Sequence, residues 1–552
     1  MTTETTPAAE VTHPAARSVS RATLISGGFN VLGSALGLLR DLLLAAYFGA
    51  TGTMDAFLVA WTVPETAAPL LIEDAMAFLM VPAFSRAAEA EKEGDDGAVR
   101  RLAGATLPPL LALLSVASLL GVLAAPLIVR ILAPGLAQPG LAVECTRLAS
   151  LSVLAIGVTG YVSAALRSRH VFGPPAAVYV AFNGGLVAAV VLFHGAGVVA
   201  AAGGVVIGAF LMVAVQARSF ARRIGMQLRL PSEDGDDAGD HDRDRDREPA
   251  GSFRRVALNR TLAFSAVAPI GLFTVTRQAQ VFVERFLGSE APAGTISHLN
   301  YAQKIAQVPM SIVMVVSVVS FPALSRALAA GRRGEAGRRL AADLRVSSLA
   351  ILAATAFLIG CAPLLVRLLF QHGRFGAADT DATASVIRVY ALGLFGQVLV
   401  GVTVRVYFAG AARRTSMWFP TQAMLGGLAV TAMVGGYAAP RWGGRGIALA
   451  NALGISLTAV ILLFRVGRKS ACSLRAFTAE TAALGTLAAL ATAAAWTIAT
   501  AGLPLIAAGL LAALAVCAVM GAPSYVGARW LRSRARPAGL DRADCHDQDR
   551  QD

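Results

Sequence analysis

The sequence predicts an all-α, polytopic membrane protein of about 14 transmembrane helices, built as two pseudo-symmetric lobes with an added C-terminal helix pair. Composition is the first observation behind this. Of 552 residues 56% are hydrophobic and 15% charged, with a mean hydropathy of +0.62, too little polar surface for a water-soluble globule of this length. The second is recurrence of apolar runs of about 20 residues, the length that crosses a bilayer. The third is a repeat: "VPAFSRA" at 81–87 returns as "FPALSRA" at 321–327, each time after a long apolar run and before clustered charge.

Six candidate helices precede the least apolar stretch of the chain, at 22–47, 54–82, 102–127, 146–166, 172–193 and 196–216. Eight follow it, at 260–286, 296–322, 344–368, 384–409, 416–437, 445–465, 476–499 and 503–528. The stretch itself, "PSEDGDDAGDHDRDRDREP", mixes charge with Gly, Asp and Pro and has no aromatic residue, a composition that packs no core. The expected organisation is a cytoplasmic tail (1–21), an N-lobe (22–216), a cytoplasmic linker (217–259) and a C-lobe (260–465). A helix pair (466–528) rich in Ala, Leu and Gly and a second cytoplasmic tail (529–552) follow. Nothing near the start has the form of a cleaved signal peptide.

Lys and Arg placement sets the expected orientation, because cytoplasmic loops retain positive charge during insertion. Alternate connections are basic: Arg86 to Arg101, Arg167 with Arg169, Arg218 to Arg255, Arg326 to Arg345, Arg413 with Arg414, Arg465 to Arg475, and the tail from Arg529. The opposite set is sparse in charge, so both termini are expected in the cytoplasm. The formal net charge of +14 follows from this bias and from contact with anionic lipid headgroups, and gives no reason to expect nucleic acid.

The repeat extends beyond its seven letters. "FGATGT" (48–53) leads to "VPAFSRA" and "LGSEAPAGT" (287–295) leads to "FPALSRA". Each half thus has a glycine-rich outer turn and then a descending helix, which Pro-Ala-x-Ser-Arg is expected to close at the cytoplasmic face. Two copies of one helical bundle imply a cleft between them that can open to either side.

Ionisable residues are costly inside a span and usually face a cavity. The first helix carries Arg40 and Asp41, and the second Asp55, Glu65, Glu73 and Asp74. In the seventh, Arg277, Gln280 and Glu284 share one face by spacing, as do Asn300, Lys304 and Gln307 in the eighth. These stripes suit the wall of a wet cleft. For Asp41, Glu65 and Arg285 a snorkelling position near the interface is an equal alternative. No catalytic residue set, phosphate-binding loop or metal-ligand spacing emerges, and the five cysteines suggest no disulfide framework, so the expected activity is movement without covalent chemistry or cofactor.

Several segments together carry a resemblance: "GLLRDLLLAAYFGATGTMDAFLVAWTVP" (37–64), "GTISHLNYAQKIAQVPMSIVMVVSVVSFPALSR" (294–326), "LLFQHGRFGAADTDAT" (368–383), "GLFGQVLVGVTVRVYFAGAARRTS" (393–416) and "GIALANALGISL" (446–457). In this order they resemble the MviN/MurJ family of lipid II flippases, within the multidrug/oligosaccharidyl-lipid/polysaccharide exporter superfamily. The resemblance implies 14 helices, two lobes and alternating access in the bacterial cytoplasmic membrane. It implies as cargo an undecaprenyl-diphosphate carrying a peptidoglycan precursor, moved to the outer leaflet where the cell-wall synthesis machinery works. Cleft cations would hold the diphosphate by charge-assisted hydrogen bonds. By position, Arg40, Asp55, Glu73 and Lys304 match charged positions of the family. The chain has Ala35, Ala68 and Pro69 where the family carries arginines and Gln307 where an acidic residue is common, and Arg277 is expected to restore a positive charge. A paralogous flippase for another polyprenyl-linked glycan or lipid-linked product stays open, as do a multidrug-type antiporter and a non-transporting scaffold. Coupling to membrane potential, a proton or sodium is equally open.

Overall fold

The computed structural model describes residues 14–224, 251–409, 417–469 and 474–534, and among these it contains helices and turns but no strand. Most of the expected linker and tails lie outside the described residues. The side chain of Glu73 does too, although its backbone is helical.

The first half has six rods. α1 is Pro14–Phe48, and α2 runs as Gly52–Ala68 and Met76–Lys92 around a π-helical turn at Pro69–Ala75. α3 joins Ala98–Leu123 to Ala125–Leu132, and α4 is Pro139–Ser168. α5 is Val178–Phe193 and α6 Val198–Ile224. The second half supplies α7 (Gly251–Ser289), α8 (Thr295–Ala329) and α9 (Arg333–Phe370). α10 passes from Ala377–Tyr390 into Leu394–Ala409, and α11 (Phe419–Trp442) and α12 (Gly444–Lys469) complete this lobe. α13 (Leu474–Thr500) and α14 (Leu505–Arg534) follow. Eleven stretches among the described residues are long and apolar enough to cross a membrane. α14 adds a shorter apolar stretch, Leu505–Gly521, while α7 and α8 carry the polar stripes.

The packing repeats with a period of six helices. In the first half α1 packs on α5, α2 and α3 on α4, and α4 and α5 on α6. In the second α7 packs on α11, α8 and α9 on α10, and α10 and α11 on α12. α13 packs on both α9 and α14 through small residues that include Ala491, Ala495, Ala508 and Ala512, which let helix backbones approach closely.

Two expectations are corrected. Pro-Ala-x-Ser-Arg does not close its helices: Pro82 and Pro322 sit inside helical segments that continue to Lys92 and Ala329. A proline removes one backbone donor, and the flanking hydrogen bonds carry the helix past it. The repeat instead builds the same local device twice, with Arg86 Nε donating to the Pro82 carbonyl and Arg326 Nε to the Pro322 carbonyl, each at 3.3 Å. Between them Phe84 and Leu324 turn into the core. The second correction concerns 217–259, whose ends are helical, since α6 runs to Ile224 and α7 starts at Gly251. Residues such as Ala, Arg, Leu and Gln have good helix propensity, so a span need not stop where its apolar run stops.

Candidate functional site

At the end of the molecule that bears the glycine turns, the lobes interlock through backbone. Arg374 N donates to the Ala46 carbonyl at 2.8 Å, and Gly135 N to Ser289 Oγ at 3.3 Å. Gly294 (φ +92°) and Gly373 (φ +61°) are left-handed, and a Cβ on either would lie 2.4 Å from the Ala50 carbonyl oxygen or 2.3 Å from that of Ala46. Only glycine admits both the conformation and the approach.

Asp55 completes this closure. Its carboxylate, in the first turn of α2 and 3% exposed, accepts from Gly294 N at 2.6 Å, Ser297 N at 2.8 Å and Ser297 Oγ at 2.6 Å. The first donors of a helix have no partner within it, and the N-terminal dipole favours negative charge. An N-lobe carboxylate therefore caps a C-lobe helix. This places Asp55 in the contact between lobes rather than on an open wall.

Deeper in, α2 presents Glu65 to two C-lobe cations. Its Oε2 lies 3.6 Å from Arg285 Nη2 and its Oε1 3.8 Å from Lys304 Nζ. These separations are within ion-pairing range but too long for good hydrogen bonds. Arg285 is 2% exposed, yet among the described residues its Nε and Nη2 have no hydrogen-bond partner, and neither has Glu65 Oε2. Gln278 Nε2 donates to the Glu65 backbone carbonyl at 3.3 Å. That carbonyl is available because Pro69, four residues on, has no N–H to give it. Asn300, buried one turn before Lys304 on α8, also has no partner for its Oδ1 among the described residues.

The exposure pattern of α7 gives the direction of the cleft. Leu272, Val275, Phe282 and Phe286 are exposed along one apolar stripe. Arg277, Gln280 and Glu284 occupy the opposite face, where Gln280 and Glu284 are joined through Asn451 of α12: Gln280 donates to the Asn451 carbonyl oxygen, and the Asn451 amide donates to Glu284. Arg277 shares that inward face but is exposed, with no hydrogen bond or ion pair among the described residues.

In the N-lobe, Arg40 is held differently. Two of its nitrogens donate to Asp41 Oδ1 at 2.9 and 2.8 Å, and Nη1 donates to Asn183 Oδ1 at 3.0 Å. Its guanidinium lies 4.6 Å from the Trp61 ring centroid. Asn183 in turn donates to the Gly33 carbonyl at 3.0 Å.

A family model described as "Lipid II flippase MurJ" matches residues 44–513. The chain belongs to this family. It is 26% identical over 457 residues to the lipid II flippase MurJ of Burkholderia cenocepacia, covering 81% of this chain and 84% of that one. A probable lipid II flippase MurJ of Rhizobium meliloti is 28% identical over 412 residues, covering 71% of each. In fold the chain is similar to a lipid II flippase MurJ solved in an inward closed conformation, with TM-score 0.72, 18% identity and coverage of 92% of this chain and 100% of the other. An inward-facing multidrug resistance MATE transporter of the MOP superfamily gives TM-score 0.62 at 14% identity, covering 81% of this chain and 98% of the other. With its apolar helices and this family membership, the chain is a multi-pass protein of the bacterial inner membrane and a transporter rather than an enzyme.

Of the expected site residues, Lys304 faces Glu65 across the lobes, Gln280 and Glu284 meet at Asn451 within the C-lobe, Asn300 is buried on α8 and Arg277 is exposed. Arg40 stands in its own N-lobe network, and Gln307 is half-buried on α8. Glu65 and Arg285, for which the sequence left an interfacial position open, are central. Asn183 and Asn451 were not singled out. A lone amide in an otherwise apolar helix, as in "ALANALG", is the signal that could have marked Asn451.

Proposed function

We propose that this protein flips lipid II, the undecaprenyl-diphosphate-linked peptidoglycan precursor, from the inner to the outer leaflet of the cytoplasmic membrane by alternating access. The observation that carries this reading is a pair of C-lobe cations, Arg285 and Lys304, facing Glu65 of the N-lobe beneath glycine-turn ends that are interlocked. A diphosphate cannot cross hydrocarbon unaided, whereas an Arg fork and a Lys point charge give it charge-assisted hydrogen bonds. The polyprenyl tail remains in lipid.

The basic connections set the glycine-turn end outside and both termini in the cytoplasm. The state described here is then closed to the outside, and delivery across it hands the product to the cell-wall synthesis machinery. The test is complementation of a bacterial host depleted of its own flippase, with labelled lipid II scored in the outer leaflet. Rescue is expected, and its loss in Lys304→Ala ties transport to this cleft. Failure by a well-expressed, membrane-inserted protein overturns lipid II as cargo. A different polyprenyl-linked glycan is then favoured by Ala35, Ala68 and Pro69, which leave the cleft poorer in arginine.

A further inference from the structure

Glu65 occupies the place that an anionic ligand would take. Its carboxylate lies between a guanidinium and an ammonium of the opposite lobe, at 3.6 and 3.8 Å, and satisfies neither. Two Arg285 nitrogens and one Glu65 oxygen are buried without a hydrogen bond among the described residues. Such groups cost free energy until a better partner arrives. The backbone of Glu65 is meanwhile held by Gln278, so the carboxylate can swing away from the cations while its main chain stays in place.

We propose that Glu65 is a specificity-determining residue: an internal anion that holds the Arg285–Lys304 pair in the empty carrier and gives way only to a ligand whose two linked phosphates engage both cations at once. This rests on the reading that the cleft binds a polyprenyl diphosphate, and deepens it. One carboxylate carries a single charge and here makes long contacts. A diphosphate brings more charge and more acceptor oxygens, and can bond the idle nitrogens of Arg285 as well as Lys304. A lipid monophosphate offers a single phosphate and fewer acceptor oxygens with which to displace Glu65. Displacement has a second consequence, because Glu65 belongs to α2 and both cations to the C-lobe. The incoming diphosphate removes an ionic tie between lobes as it binds, so separation of the lobes follows loading with the correct headgroup.

The test is equilibrium binding to the purified full-length protein in lipid nanodiscs, using farnesyl diphosphate and farnesyl monophosphate as probes. The wild type is expected to prefer the diphosphate. Glu65→Gln, which keeps shape and removes charge, is expected to bind both probes more tightly. Its gain for the monophosphate should be the larger, so the preference shrinks by roughly tenfold. Glu65→Ala should behave alike, and thermal unfolding of both variants checks that they are folded. If either folded variant binds the diphosphate no more tightly than the wild type, or keeps the full preference, Glu65 is not a competitor and the proposal falls. If instead the wild type and both Glu65 variants fail to bind the diphosphate, the lipid-carrier reading itself is overturned. The two failures are therefore separable.

Discussion

Asp55 and Glu65 are two carboxylates of the same helix, both reaching from the N-lobe into the C-lobe, and they are treated oppositely. Asp55 accepts three hydrogen bonds of 2.6–2.8 Å at the start of α8. Glu65 faces two cations at 3.6 and 3.8 Å, and one of its oxygens accepts no hydrogen bond among the described residues. A contact in which both carboxylate oxygens accept from protein defines a conformational state, whereas one with idle donors and acceptors is ready to be exchanged for a ligand. The closure at the glycine turns is of the first kind and the cation group beneath it of the second.

The largest expected effect comes from making the first contact permanent. A Cβ at Gly52 would lie 3.5 Å from that of Ala293 across the lobes, within the range of about 3.5–4.5 Å that disulfides span. In a background without the native cysteines, Gly52→Cys with Ala293→Cys should cross-link on oxidation and abolish lipid II translocation, with recovery on reduction. Full transport by the cross-linked protein would show that this closure does not need to open.

Weakening the same contact should act less completely. Asp55→Ala removes the acceptor for two backbone donors, and each buried donor left unpaired costs about 1–3 kcal/mol. The closed state should then lose at least about tenfold in population, read as slower cross-linking of the same cysteine pair. Unchanged cross-linking would mean that the backbone bonds alone hold the lobes together.

Arg285 and Arg40 carry the comparison to two buried cations. Arg285→Ala should weaken diphosphate binding by roughly tenfold or more, since charged hydrogen bonds contribute about 1.5–3 kcal/mol. Arg40→Ala should chiefly lower thermal stability, because it strips Asp41 and Asn183 of a shared partner and Trp61 of its cation. Equal binding losses in the two variants would erase the distinction between a satisfied cation and an available one.

The sequence made the helices, the two halves and the polar faces of α7 and α8 legible, because apolar runs, a displaced repeat and three- and four-residue spacing are local properties. Arg277, Gln280 and Glu284 could be put on one face without coordinates. The role of Asp55 could not be read, because its three donors lie at Gly294 and Ser297, far along the chain, and cap geometry exists only once the lobes meet. Nor could the depth of Glu65 and Arg285, since an ionisable residue near a span's end snorkels or pairs according to what faces it. Pro-Ala-x-Ser-Arg reads as a helix end because proline lacks a backbone donor, but the helix continues past it. In both copies the arginine four residues on bonds the proline's carbonyl within a continuing helix.

The smallest effect should come from an ion pair with better geometry than that of Glu65. Arg345 of α9 forks onto Glu480 of α13 with two bonds of 2.7 Å, tying the C-terminal helix pair to the C-lobe. Both side chains are exposed, at 53% and 38%. Water competes for both partners and ordering two long side chains costs entropy, so exposed pairs contribute about 0–1 kcal/mol. Arg345→Ala should leave translocation intact and lower thermal stability only slightly. A large loss of transport would instead mean that α13 must stay fixed to α9 while the lobes move, and short distances at the surface would then matter as much as idle donors inside.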